Sequence, residues 1–212
     1  LTIHFIGGEN QAGKSWFVRA LVEIIAVNSP RTIVADASID KKIGTIYSPT
    51  FNRSYELQFS GDRPLAADPL LVYGNEWEIV VKIPAQARHY FLKWLHDISL
   101  EETDIDCRYW FVSRGKDDYP SEILEIFKER CFLVENQYYL ANFQLFQQPE
   151  FDRNRTVKLP AFTRDPILID RIERSGLPLS AFSERSQTID RSRIFRFLQP
   201  LRESEIFNRK YC

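Results

Sequence analysis

The chain has 212 residues, 44% hydrophobic and 27% charged, with a formal net charge of −1. That balance supports a real core without disulfides or metal and excludes a polybasic DNA binder. No apolar run reaches the ~18 residues of a crossing helix, no basic-then-apolar leader opens the chain, and Cys107, Cys131 and Cys212 are too widely spaced for a disulfide framework or a paired-cysteine zinc site. A soluble, cytoplasmic protein with buried free thiols is the expectation.

Thr2 to Ile6 reads as a buried strand feeding Gly7-Gly8. From Lys14 to Val27 the apolar residues Phe17, Val18, Leu21, Ile24 and Ile25 mark one helix face, and Asn28-Ser29-Pro30 stops it. Thr32 to Ala35 is a second strand with Asp36 at its end. Residues 37–76 show few clear periods, with a helix expected over part of 54–59 or of 66–72. Ile79 to Ile83 is a third strand, Gln86 to Ile98 a helix, and Tyr109 to Val112 a fourth strand. Pro120 to Arg130 is a helix with proline in its first turn. Phe132 to Val134 and Val157 to Leu159 are two further strands, and beyond Asp165 the chain is expected to be helical with a break at Gly176-Leu177-Pro178.

Strands alternating with helices predict an α/β fold, a mostly parallel sheet with helices on both faces, in one domain over residues 1–212 with C-terminal helices from about 165. In such sheets ligands collect beyond the C-terminal strand ends. Gly8, Asp36, Pro84, Ser113, Asn136 and Pro160 all fall there.

The segment Gly8-Glu9-Asn10-Gln11-Ala12-Gly13-Lys14-Ser15 fits G-x-x-x-x-G-K-[ST], after a strand and at the opening of a helix, as the P-loop NTPase fold requires. Glycines let the backbone aim N–H groups at phosphate oxygens, and the helix adds its positive end. Lys14 is expected to reach the β- and γ-phosphates of ATP. The Ser15 hydroxyl is expected to ligate Mg²⁺, and the nucleotide-binding run is extended to Trp16.

An ordered set of short pieces accompanies this loop: Gly-Gly-Glu at 7–9, Ala-Asp-Ala at 35–37, Ile-Pro-Ala-Gln at 83–86, Trp-Phe-Val-Ser at 110–113, Val-Glu-Asn at 134–136 and Leu-Pro at 159–160. Over most of residues 1–160 the chain resembles the ParA/MinD group of P-loop ATPases, nearest to its MobD-like mobilisation and plasmid-partition branch. The resemblance implies an ATP-dependent homodimer that sandwiches nucleotide, binds DNA nonspecifically and positions plasmids or other cargo. It implies that Asp36 acts near Mg²⁺ and the attacking water, that Ile83-Pro84 is a switch segment, and that Asn136 and Pro160 frame the adenine. Two departures stand out: Glu9 or Asn10 occupies the region of the family's extra loop lysine, and Lys82 stands where the family has an acid two residues before the switch proline. Weak or slow hydrolysis is therefore expected.

From Arg171 onward nine Lys/Arg stand against five Asp/Glu. Arg193, Arg196 and Arg202 could meet DNA phosphates, whereas Ile194, Phe197, Leu198 and Leu201 form a stripe that reads as core packing. His89 and His96 share a face with Lys93 and read as solvated, while His4, within a strand, reads as a satisfied core or flank residue. Two rival functions share this pattern: a small-molecule kinase or synthetase of the dethiobiotin-synthetase type, and a non-hydrolysing nucleotide-gated adaptor for a partner protein.

Overall fold

A computed structural model describes residues 1–29, 31–38, 42–47, 54–56, 67–100, 103–115, 121–139, 151, 153–162 and 165–207. The strands are β1 (Thr2–Gly8), β2 (Thr32–Asp36), β3 (Ser54–Glu56), β4 (Glu78–Lys82), β5 (Asp106–Ser113), β6 (Cys131–Asn136) and β7 (Thr156–Leu159). They form one sheet in the order β3-β2-β4-β1-β5-β6-β7, and every pairing is parallel. The described helices are α1 (Lys14–Asn28), α2 (Lys42–Tyr47), α3 (Asp68–Gly74), α4 (Arg88–Asp97), α5 (Ser121–Phe127), α6 (Pro166–Ser175), α7 (Leu179–Glu184) and α8 (Thr188–Arg202).

The strand side chains sort by parity, as a sheet buried on both faces requires. Ile3, Phe5, Ile33, Ala35, Ile79, Val81, Tyr109, Phe111 and Leu133 face one core, filled by α3, α4 and α5 through Leu70, Phe91, Trp94 and Phe127. Ile6, Val34, Val80, Trp110, Val112, Val134, Val157 and Leu159 face the other, covered by α1 and the C-terminal helices through Phe17, Leu21, Leu168, Phe197 and Leu201. Each such aliphatic or aromatic side chain contributes roughly 1.5–3 kcal/mol by leaving water.

The buried imidazole of His4 has both ring nitrogens matched. The indole N–H of Trp110 donates to His4 Nδ1 at 3.0 Å, and Nε2 of His4 lies 3.0 Å from Glu78 Oε1. An indole nitrogen can only donate, so Nδ1 must accept and the neutral ring carries its proton on Nε2, donating to Glu78. His4 is thus a satisfied core residue, and His89, Lys93 and His96 are exposed on α4. Cys107 and Cys131 are buried free thiols, with burial pushing Cys107 up to about 12; Cys212 lies outside the described residues.

The structure corrects several boundaries. Residues 54–56 form a strand where a helix was one of two expectations, because Ser54-Tyr55-Glu56 pairs with Val34-Ala35-Asp36 at the sheet edge. Residues 57–59 lie outside the described residues. The other expected helix is α3 at Asp68–Gly74, while α2 had no signal in the sequence pattern. The helices expected over 86–98 and 120–130 each include a 3-10 turn, at Ala85–Ala87 and Lys128–Arg130. The C-terminal break falls as expected: α6 ends before Gly176 in the left-handed region, and α7 follows Pro178. None of the described helices is long and apolar enough to cross a membrane.

Candidate functional site

At the C-terminal edge of the sheet, β1 ends at Gly8 and the chain curls through residues 9–13 into α1. Gly8 and Gly13 have φ of 127° and 93°, and Gln11 between them also lies in the left-handed region at 57°. Backbone in that region concentrates in loops that must present their N–H groups to a ligand. Gly13 caps α1 without any side-chain hydrogen bond. The amides of Lys14 and Ser15 have no acceptor among the described residues and stand at the helix's positive end, whereas Trp16 N donates to Gly13 O at 3.0 Å. A Cβ at Gly13 would strike the side-chain amide of Asn136, so the glycine is required by packing as well as by φ.

Side chains brace the loop from behind. Glu9 is buried and turns away from the cleft: its carboxylate accepts from Ser113 Oγ at 2.9 Å and from Arg114 Nε at 2.9 Å. The acid of the loop thus points out of the cleft, with Arg114 as its counter-charge. Asn136 donates from Nδ2 to the carbonyl of Ala12 at 2.8 Å and accepts from the amide of Tyr138 at 3.0 Å. Tyr139 donates its hydroxyl to Gln11 O at 3.2 Å.

Lys14 folds back over this loop, donating to the carbonyls of Gly8, at 3.0 Å, and of Glu9. It is buried, and its pKa falls from 10.5 to about 8 through desolvation first and the positive charges of Lys82 and Arg114 as well, against an opposing pull from Glu9. An ammonium in that state is stabilised by any anion placed beside it.

The facing wall comes from β2 and β4. Asp36 and Lys82 are register partners on these adjacent parallel strands, which puts both at one point of the cleft edge. Lys82 Nζ lies 3.6 Å from Asp36 Oδ1 and donates to Ser38 Oγ at 3.0 Å. Asp36 is 1% exposed; its Oδ1 accepts from the amide and hydroxyl of Ser38, and its Oδ2 from the amide of Ile43 at 3.0 Å. The carboxylate therefore pins the start of α2 and balances Lys82.

The cleft between the walls has a volume of about 600 Å³. Asn10, Gln11, Ala12, Gly13, Lys14, Ser15 and Trp16 line it on the loop side, and Ser38, Lys82 and Pro84 on the other. Of the residues expected from sequence, Gly8, Glu9 and Asn136 act on the loop from behind. Pro160 directly follows β7, whose Leu159 approaches Gly13. Trp16 lines the cleft with its ring stacked on Phe162 at 4.6 Å. Sequence reasoning missed Ser38, Arg19, Lys42 and Glu173, which carry no motif and are brought to the cleft by folding, and Tyr139, which bonds the loop at Gln11. Ser113, placed at a strand end by the sequence, grips Glu9 together with Arg114, for which the Gly115 turn after β5 would have offered a signal.

The curled loop, the uncapped helix start and Lys14 together suit a chain of phosphates. For Mg²⁺ the protein offers the Ser15 hydroxyl, and among the described residues no group of three or more His, Cys, Asp or Glu could hold a metal. A Mg²⁺ bound to that one hydroxyl would take its other ligands from phosphate oxygens and water.

The all-parallel α/β sheet, with this loop between β1 and α1, is the arrangement the sequence pattern called for. No family model matches the chain, and no curated protein matches it. Among solved structures, the cell division protein FtsY of Thermotoga maritima aligns at 13% identity with a TM-score of 0.45, covering 68% of this chain and 55% of that one. The chain thus spans about half the length of that structure.

Proposed function

We propose that this chain binds a nucleoside triphosphate, ATP by the sequence resemblance, with Mg²⁺, and hydrolyses it slowly or not at all. The observation that carries the reading is the loop Gly8–Ser15 at the sheet's C-terminal edge, with buried Lys14 turned onto the carbonyls of Gly8 and Glu9. A triphosphate offers Lys14 stronger, charge-assisted acceptors than those carbonyls. The loop amides and Lys14 hold the phosphates, Ser15 contributes its hydroxyl to Mg²⁺, Pro160 borders the base, and Asn136, expected from the resemblance to frame the base as well, instead holds the loop from behind at Ala12. Asp36 acts at the metal side of the phosphates, its charge offset by Lys82. That offset supports slow turnover, because an ammonium stands beside the carboxylate that would otherwise attract metal and water.

The finer reading is a nucleotide-dependent homodimeric switch in plasmid partition or mobilisation, in one domain, with DNA or a partner protein downstream. Its support is the sequence resemblance. The C-terminal helices qualify the DNA component: Arg193 is paired with Asp165 at 2.7 Å, while Arg196 and Arg202 are exposed. Light scattering with ATP and Mg²⁺ tests the switch, since doubling of mass that Lys14→Ala abolishes supports it and an unchanged mass at saturation overturns it. A second reading, a small-molecule kinase or synthetase, draws on one observation: the cleft continues past the phosphate loop to Ser38, Lys42 and Glu173.

A further inference from the structure

Helix α1 leaves the phosphate loop with Ser15 and Arg19 one turn apart on the same side, and both line the cleft. Arg19 is 1% exposed, yet among the described residues its Nε, Nη1 and Nη2 have no hydrogen-bond partner. The carboxylate paired with it, Glu173 on α6, has Oε1 3.6 Å from Nη2, too far for a hydrogen bond. The other oxygen of Glu173 is held by Lys42 Nζ on α2. The Trp16 ring stands 5.4 Å from the guanidinium carbon, and Tyr47 donates its hydroxyl to the carbonyl of Arg19 at 3.3 Å, so the backbone is fixed here.

A guanidinium brings five N–H donors, and burying them unbonded is costly. An apolar side chain of similar length would fill the same space without that cost. The charges point the same way. Lys14, Arg19, Lys42 and Lys82 line the cleft with Glu173 as the acid among them. Lys82 is balanced by Asp36 and Lys14 faces the phosphate loop. Arg19 and Lys42 are left to share Glu173, which is 27% exposed and reaches in from a surface helix. Its side chain can turn outward without opening the core.

We propose that a second ligand, a small molecule bearing a carboxylate or phosphate group, docks beside the nucleotide phosphates by displacing Glu173 from Arg19 and Lys42. The planar fork of Arg19 then gains the two parallel acceptors that Glu173 fails to supply. This rests on the reading of the cleft as a nucleotide site.

The test is calorimetry on the full chain saturated with a non-hydrolysable ATP analogue and Mg²⁺, titrated with inorganic phosphate and, separately, with succinate. Saturable heat with one of them supports the site and identifies the anion. Arg19→Lys is expected to weaken that binding about tenfold, and Lys42→Met, on a half-exposed side chain, about threefold. Glu173→Gln is expected to tighten it, whereas a purely structural ion pair would lower Tm and leave probe binding unchanged. No saturable heat from either probe, or identical titrations for wild type and both cation variants, overturns the proposal. If the ATP analogue itself does not bind, the nucleotide reading fails alone: Arg19-dependent phosphate or succinate binding to the bare protein still supports the subsite, and its absence overturns it.

Discussion

One wall of the cleft, the loop Gly8–Ser15, keeps its acidic side chain turned outward and its cation turned in: Glu9 is gripped by Ser113 and Arg114, while Lys14 is held over the loop. The facing wall cancels its own charge, with Asp36 and Lys82 paired across adjacent strands. The first arrangement leaves attraction for phosphate intact, and the second removes the excess negative charge that draws metal. Binding and hydrolysis draw on different walls, so a chain can keep one while losing the other.

The comparison breaks most sharply at Lys82. Lys82→Ala leaves Asp36 buried and unbalanced, and stability is expected to fall by about 3 kcal/mol, read from urea denaturation. Nucleotide binding by the same variant should depend more steeply on Mg²⁺. A loss within about 0.5 kcal/mol would mean that the two walls are not organised differently.

On the loop side, Gly13→Ala forces a side chain into a φ of 93° and against Asn136. The expected loss is about 2 kcal/mol, together with loss of nucleotide affinity, measured by thermal denaturation and titration. Glu9→Gln keeps the shape but removes the charge from the contact with Arg114, and about 1 kcal/mol is expected to go. Affinity should hold, because the Glu9 side chain faces away from the cleft.

A separate effect is on pH. Lys14 sits at about 8 against 10.5 for a free lysine. Between those values the unfolded chain holds a proton that the folded chain has released, so at this residue stability rises with pH. Anion binding runs the other way, since it needs the ammonium. Affinity for the triphosphate should drop about tenfold between roughly pH 7 and pH 9, with proton uptake on binding above pH 8.

Where period and motif act locally, the sequence was enough. The strand–loop–helix around Gly8–Ser15 follows from an apolar run, glycines and an amphipathic face, and the Ile194, Phe197, Leu198 and Leu201 stripe packs as core. The pairing of Asp36 with Lys82 was not legible, because it depends on the register of β2 against β4, which nothing in either strand announces. Nor was Arg19, a residue at an ordinary helical position until Glu173 arrives from a helix more than 150 residues further along the chain. The short elements α2 and β3 carry too few residues for a period to show.

The central claim, that the loop holds a nucleotide, is tested most directly by titrating the wild-type chain and Lys14→Ala with ATP and Mg²⁺ in a calorimeter. Saturable binding by the wild type, weakened about a hundredfold in the variant, is the predicted result. No saturable binding by the wild type, or equal affinity in the two proteins, would contradict it.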